Sequence, residues 1–181
     1  MTLNTNGIAS DVTGKRILIT GGASGIGAAS ALLLASRGAK VVIGDLAEAL
    51  GEAVAQQGQA AGNSIVFKKV DVSSGDEVRA LFAFAMEKLG GLDVVINNAG
   101  IDHKPAPMHE LSDEDFDRNI AVNLKGVWHC MRAAVACMAT NGGGHVINVA
   151  SIAGLRSAPL LTAYSAAKHG VMGLTKSAAH E

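Results

Sequence analysis

The sequence predicts an α/β protein, with a parallel sheet covered by helices on both faces in three α/β/α layers. Three observations predict it. Short apolar runs alternate along the chain with longer segments of helical composition; the runs lack the polar alternation of a sheet with one wet face; and a glycine-rich turn joins the first run to the first helix. The chain has 181 residues, 49% of them hydrophobic, and a net charge of −1, which fits one domain with a substantial core. Charges are scattered with no basic run, which argues against nucleic acid as a partner. Neither a signal peptide nor a membrane span is legible, so a cytoplasmic location is expected.

Arg16 to Thr20 is an apolar run that stops at glycines and reads as a buried strand. Thr20-Gly21-Gly22-Ala23-Ser24-Gly25-Ile26-Gly27 then leads into a helix expected over residues 28–36. Strand, glycine turn and helix start together make a phosphate site, because unpaired backbone N–H groups and the positive end of the helix dipole face the ligand. Gly21 suits the tight turn, Gly25 the approach of a pyrophosphate, and Gly27 the packing of helix on sheet; with Ser24 and Ile26 they form the expected dinucleotide cradle of a Rossmann-type, doubly wound fold. Residues 40–44 read as the second strand, and Asp45 follows at its carboxyl end. An acid some 20 positions past the glycines accepts from adenosine ribose hydroxyls and repels a 2′-phosphate, which favours NAD over NADP. Asp45 could also cap the helix from Leu46, and the two roles are compatible.

That helix should run to Ala61 before a third strand over 64–67. Ser73 or Ser74 caps a helix from about Asp76 to Leu89, and 92–96 reads as the fourth strand, ending in Asn97-Asn98-Ala99-Gly100. A loop with Pro105 and Pro107 follows. His103 and His109 there lack metal-ligand spacing and read as loop residues near the pocket mouth. Ser112 to Asp115 starts a helix expected to run, interrupted or kinked near Asn123, to about Thr140. Cys130 and Cys137, seven apart on that helix, stand about 10 Å apart and read as reduced. Residues 145–149 form the fifth strand, with Ser151 just beyond its carboxyl end.

Tyr164-Ser-Ala-Ala-Lys168 completes the set. Four residues apart on a helix, the phenol and the ammonium share a face, and a nearby cation favours phenolate over phenol. So spaced, Tyr and Lys are on their own an ordinary surface pair. With the glycine loop, Asp71, Asn97-Asn98-Ala99-Gly100 and Ser151 upstream, they make the chain from about residue 14 onward resemble the short-chain dehydrogenase/reductase family in its common form of roughly 250 residues. The resemblance implies adenine contacts from the Asp71 carboxylate with Val72 beside it, and an adenosine-side wall from Asn98, Ala99 and Gly100. It also implies a catalytic set of Asn123, Ser151, Tyr164 and Lys168, with Tyr164 and Lys168 also contacting the cofactor, Lys168 on the nicotinamide ribose, and the Asn123 carbonyl holding a water beside it.

The expected reaction is a hydride transfer between NAD and a secondary alcohol or ketone, with Tyr164 as acid/base and Ser151 donating to the reacting oxygen. A homodimer or tetramer is expected from helices apolar on more than one face. The family continues for some 70 residues beyond the position of Glu181, so the fold should lack its last strands, and the chain reads as residues 1–13 of tail and 14–181 of an incomplete NAD-binding domain. The alternative reading is a truncated, non-catalytic nucleotide-binding or dimerising remnant.

Overall fold

The computed structural model describes residues 12–181. Five strands, β1 (Arg16–Thr20), β2 (Lys40–Asp45), β3 (Ser64–Lys69), β4 (Val94–Asn97) and β5 (His145–Asn148), pair in parallel in the order β3-β2-β1-β4-β5. The helices are α1 (Gly25–Ser36), α2 (Glu48–Ala60), α3 (Gly75–Leu89), α4 (Asp113–Ile120), α5 (Val127–Thr140) and α6 (Thr162–Ala178). Of the expected tail only Val12 and Thr13 fall among the described residues; Val12 packs on the core and the Thr13 hydroxyl donates to Arg37 O at 3.3 Å.

Three layers follow from the two-residue alternation of β side chains. Ile17 and Ile19 of β1 share one face with Val41 and Ile43, under Ala31 and Ala35 of α1 and Val54 of α2. Leu18, Val42 and Val95 point the other way, against Leu81 and Phe82 of α3 and Cys130, Ala134 and Met138 of α5. The central strands are therefore buried on both faces, as their apolar runs require. Val127 and Met131 of α5 meet Val171 of α6 in a third cluster, which docks the helix bearing Tyr164 and Lys168.

Several boundaries differ from expectation for local reasons. Helix α1 begins at Gly25, three residues early, because Gly25-Ile26-Gly27 forms its first turn. Strand β4 begins at Val94, because Asp93 turns to meet Arg16. Ser74, not Ser73, caps α3 by accepting from Glu77 N, and Ser112 caps α4 by accepting from Asp115 N. The expected kink near Asn123 is a π-helical stretch, Ala121–Gly126, between α4 and α5. Cys130 and Cys137 are unpaired, and burial pushes the Cys130 thiol up to about 12.

Arg16 and Asp93 lock β1 to β4 at the amino edge of the sheet. The guanidinium donates from Nη2 to Asp93 Oδ1 at 2.7 Å and from Nε to Oδ2 at 3.0 Å, while Arg16 N reaches Oδ2 at 2.8 Å. These bonds hold the Asp93 carboxyl down at about 2. A carboxyl with a depressed folded-state value stabilises the fold above its unfolded value, near 4, and loses that contribution as pH falls toward 2. With the side chains 30% and 29% exposed, the pair contributes about 1–2 kcal/mol. Asp93→Asn should therefore lower the urea-unfolding free energy by that amount at pH 6, with the gap from the parent shrinking as pH falls from 4 to 2. A gap constant across that range would contradict the assignment.

Candidate active site

Strand order reverses at β1, whose neighbours β2 and β4 lead to opposite sides, and open parallel sheets bind ligands in the crevice outside such a point. Thr20 and Asn98 clamp this end of the sheet together. The Thr20 hydroxyl accepts from Asn98 N and Ala99 N at 3.2 Å each, and Asn98 Nδ2 donates to Thr20 O at 3.1 Å and Gly21 O at 2.9 Å.

The glycine turn is shaped by close approach. A Cβ on Gly21 would lie 2.7 Å from Ala99 Cα, and one on Gly27 only 2.0 Å from Gly21 O. Gly25 differs: with φ +51°, its missing Cβ would stand in open space. Ser24 is the N-cap of α1 but makes no side-chain cap bond, so its hydroxyl and the first N–H groups of the helix remain uncommitted.

A cavity of about 470 Å³ opens here. Gly21, Ser24, Gly25 and Ile26 form one wall, Asp45 and Leu46 the next, Val70 to Ser73 a third, and Asn98 to Ile101 the floor. Arg118, Ala121 and Val122, from α4 and the π-helical stretch, close the remaining side. Every residue expected to hold the cofactor from the glycine turn to Gly100 lines this cavity except Gly27, which packs behind it. Leu46, Ser73 and Ile101 had no motif to mark them, and neither had the three from the helical side.

Both Asp45 oxygens are engaged, Oδ2 accepting from Ala23 N at 3.0 Å and Oδ1 from Ala47 N at 2.9 Å. The carboxylate thus ties the glycine turn to the start of α2, and the spare lone pair on each oxygen can still accept from a ribose hydroxyl. Asp71 Oδ1 accepts from Ser73 N at 2.9 Å and Ser73 Oγ at 2.7 Å, which fixes its carboxylate in the third wall.

The catalytic set expected from the sequence stands beyond the Gly100 end of this cavity and does not line it. Lys168, on α6, is only 3% exposed; its Nζ donates to Val149 O at 2.8 Å and lies 5.5 Å from the centre of the Tyr164 ring. Burial pushes the ammonium below its ordinary range, partly opposed by the charge of Asp102. Ser151 Oγ accepts from Ala153 N at 3.1 Å in a short 3₁₀ turn, Ile152–Gly154, which leaves its proton free to donate. That turn is fastened to α6: Ser165 Oγ donates to Ala153 O at 2.9 Å, and a Cβ on Gly154 would lie 2.8 Å from Lys168 O.

Asn123 is fully buried, and its amide clamps the strand exit. Oδ1 accepts from Ile101 N at 2.9 Å, while Nδ2 donates to Ile101 O and to Asn119 Oδ1, each at 2.7 Å. Gly100 lies between Asn123 and Lys168, since a Cβ there would be 2.8 Å from Asn123 Oδ1 and 3.7 Å from Lys168 Nζ. One polar chain escaped the sequence: Asn97 Nδ2 donates to Asn148 Oδ1 at 2.8 Å and Asn148 Nδ2 to Thr175 Oγ1 at 2.9 Å, linking β4 and β5 to α6. His103 is buried with Nδ1–H donating to Lys104 O, and His109 is exposed. Among the described residues no three ligating side chains gather for a metal, and no helix is long and apolar enough to cross a membrane.

The short chain dehydrogenase family model matches residues 15–181. The 3beta-hydroxysteroid dehydrogenase of Mediterraneibacter gnavus is 45% identical over 165 residues, covering 91% of this chain and 59% of that protein. The cis-4-hydroxycyclohexanecarboxylate dehydrogenase of Sinomonas cyclohexanicum is 46% identical over 162 residues, covering 90% of this chain and 65% of that one. Among solved structures, a short chain dehydrogenase/reductase from Burkholderia phymatum in complex with NAD superposes with a TM-score of 0.90 at 36% identity, over 93% of this chain and 60% of that one. The chain thus spans roughly three-fifths to two-thirds of the length of these relatives.

Proposed function

This chain belongs to the short-chain dehydrogenase family, and on that premise we propose that it carries the NAD site and the acid/base set of an oxidoreductase acting on a secondary alcohol or ketone. The observation that carries the reading is Lys168. A buried ammonium with no ion pair among the described residues is costly to maintain, and a buried cation beside a phenol is what proton transfer from an alcohol needs. NAD, when bound, supplies the hydride acceptor. The open position at Gly25, the free Ser24 hydroxyl and the N-terminus of α1 fit its pyrophosphate, Asp45 its adenosine ribose and Asp71 its adenine.

Tyr164 Oη takes the alcohol proton in oxidation and returns it in reduction. Ser151 Oγ donates to the same oxygen and steadies its developing charge. Lys168 favours the phenolate electrostatically and offers its remaining N–H donors to the nicotinamide ribose. The Asn123 side chain is engaged in holding Ile101 and Asn119, so its backbone carbonyl is the group left for a water between Lys168 and solvent.

The substrate is proposed to be a ring alcohol on an apolar frame. Ile152, Leu155 and Leu160, 70%, 67% and 48% exposed, stand beyond Ser151, and the names of the two relatives specify a hydroxysteroid and a hydroxycyclohexanecarboxylate. Assembly as a homodimer or tetramer is proposed through α5, where Trp128 and Val135 are exposed apolar side chains, together with α6. The cytoplasm is the proposed location.

Titration with NADH and NADPH beside a turnover assay on cyclic alcohols tests the reading. NADH should bind at least about tenfold tighter, because like charges brought together at Asp45 cost several kcal/mol. Asp45→Asn should narrow the ratio to within about threefold. Equal affinities in the parent protein would sink the NAD assignment. NADH binding without turnover would favour the non-catalytic nucleotide-binding reading, to which the enclosed adenosine half of the site, walled without Tyr164, also lends itself.

A further inference from the structure

We propose that Arg118 is a recognition residue for the adenine of the nucleotide, its guanidinium plane closing over the base at the cavity mouth; this rests on the dinucleotide reading of the cavity. Arg118 is the one cationic side chain among those lining the cavity, and no basic residue stands in the glycine turn. It is exposed and makes no ion pair within 4 Å among the described residues, although Asp45 and Asp71 line the same cavity and acidic residues surround it on α4. An arginine unclaimed by so many nearby carboxylates is free to meet a ligand.

Its place in the fold selects the base over the diphosphate. Arg118 precedes Ala121 and Val122 by three and four residues, so the three share one helical face, and all three form the same wall. Val70, Asp71 and Val72 line the same cavity. Aliphatic side chains from both segments and one fixed carboxylate suit a flat heterocycle carrying an amino donor. The diphosphate cradle belongs to a different wall, at the start of α1. A planar guanidinium at the rim of an adenine slot gains from stacking and from cation–π attraction, which an ammonium reproduces poorly.

Binding of AMP, ADP-ribose and reduced nicotinamide mononucleotide to the parent protein, Arg118→Ala and Arg118→Lys separates the outcomes, with circular dichroism reporting the fold. Both variants should bind AMP and ADP-ribose about three- to tenfold more weakly, keep their affinity for the mononucleotide, and show losses little changed by raised salt. An Arg118→Lys variant that binds like the parent, or a loss that vanishes in high salt, would mark a simple point charge and overturn the proposal. So would unchanged AMP affinity in both variants. If the parent itself binds neither AMP nor ADP-ribose, the dinucleotide reading falls first and this proposal falls with it.

Discussion

Replacing Tyr164 by phenylalanine is expected to reduce turnover by about 10²–10⁴-fold, the contribution of a positioned acid/base, while NADH affinity changes by less than about threefold. The split follows from the geometry. The cavity proposed to take the adenosine half is built without Tyr164, so the phenol has no part in holding that end. Tyr164 is moreover the only tyrosine in the sequence, and no other phenol can take its place. Phenylalanine keeps the ring beside Lys168, whose Nζ lies 5.5 Å from its centre, and removes only the oxygen proposed to exchange the proton. Stopped-flow or steady-state turnover, measured beside fluorescence titration of NADH, reads both quantities. A variant that retains more than a tenth of parental turnover would remove Tyr164 from the chemistry.

Gly27→Ala should cost both stability and ligand binding. Its added methyl would stand 2.0 Å from Gly21 O and 2.6 Å from Asn98 Nδ2, atoms held by the clamp between β1 and β4 rather than by a flexible side chain. Relief requires α1 to move off the sheet, and overpacking of this kind costs about 1–3 kcal/mol or more. NADH affinity should fall by over tenfold, since the helix N-terminus moves with it. Gly25→Ala provides the contrast. Its methyl meets nothing within 4 Å, so the stability loss should be limited to the strain of a left-handed alanine, about 1–2 kcal/mol, while the ligand loses its closest approach to the backbone. Urea unfolding and NADH titration of the two variants should therefore separate packing from binding; equal losses in both measurements for both variants would contradict these two roles.

The elements legible in the sequence were those that declare themselves locally. Strands β1 and β2 are unbroken apolar runs because both faces are buried, and Ser74 and Ser112 are caps whose donors lie three residues away. The glycine turn was legible because three glycines stand between a strand and a helix, two of them where a Cβ would collide and the third beside open space. What escaped depends on residues far apart in the chain. Asp93 reads as part of a strand until Arg16, 77 positions earlier, claims its carboxylate. Arg118 looks like one more charge on an acidic helix, and only the fold, in which Asn119 of α4 bonds Ile101 just past β4, brings it to the cavity. Asn148 and Thr175 have no pattern that would join them, and the buried link they form with Asn97 exists only once α6 is docked. Sequence did reach Asn123, but by resemblance to a family; the bonds that occupy its amide came from the structure.

The wide turn at residues 121–126 also governs where the chain can change in length. Deleting one residue there would let the segment tighten into an unbroken α-helix with no loss of backbone hydrogen bonding. Each α-helical residue advances the direction of its side chain by about 100° and each residue of the wider turn by less, so five tightened residues span nearly the angle of the present six and α5 keeps its face to the sheet. Cys130, Ala134 and Met138 would stay against the sheet, whereas side chains within the turn itself would be re-aimed and Asn123 would release Ile101. Loss of a residue here is thus a change to the site rather than to the packing of the helix, whereas the exposed Gly142-Gly143 turn can change in length without disturbing the hold on Ile101.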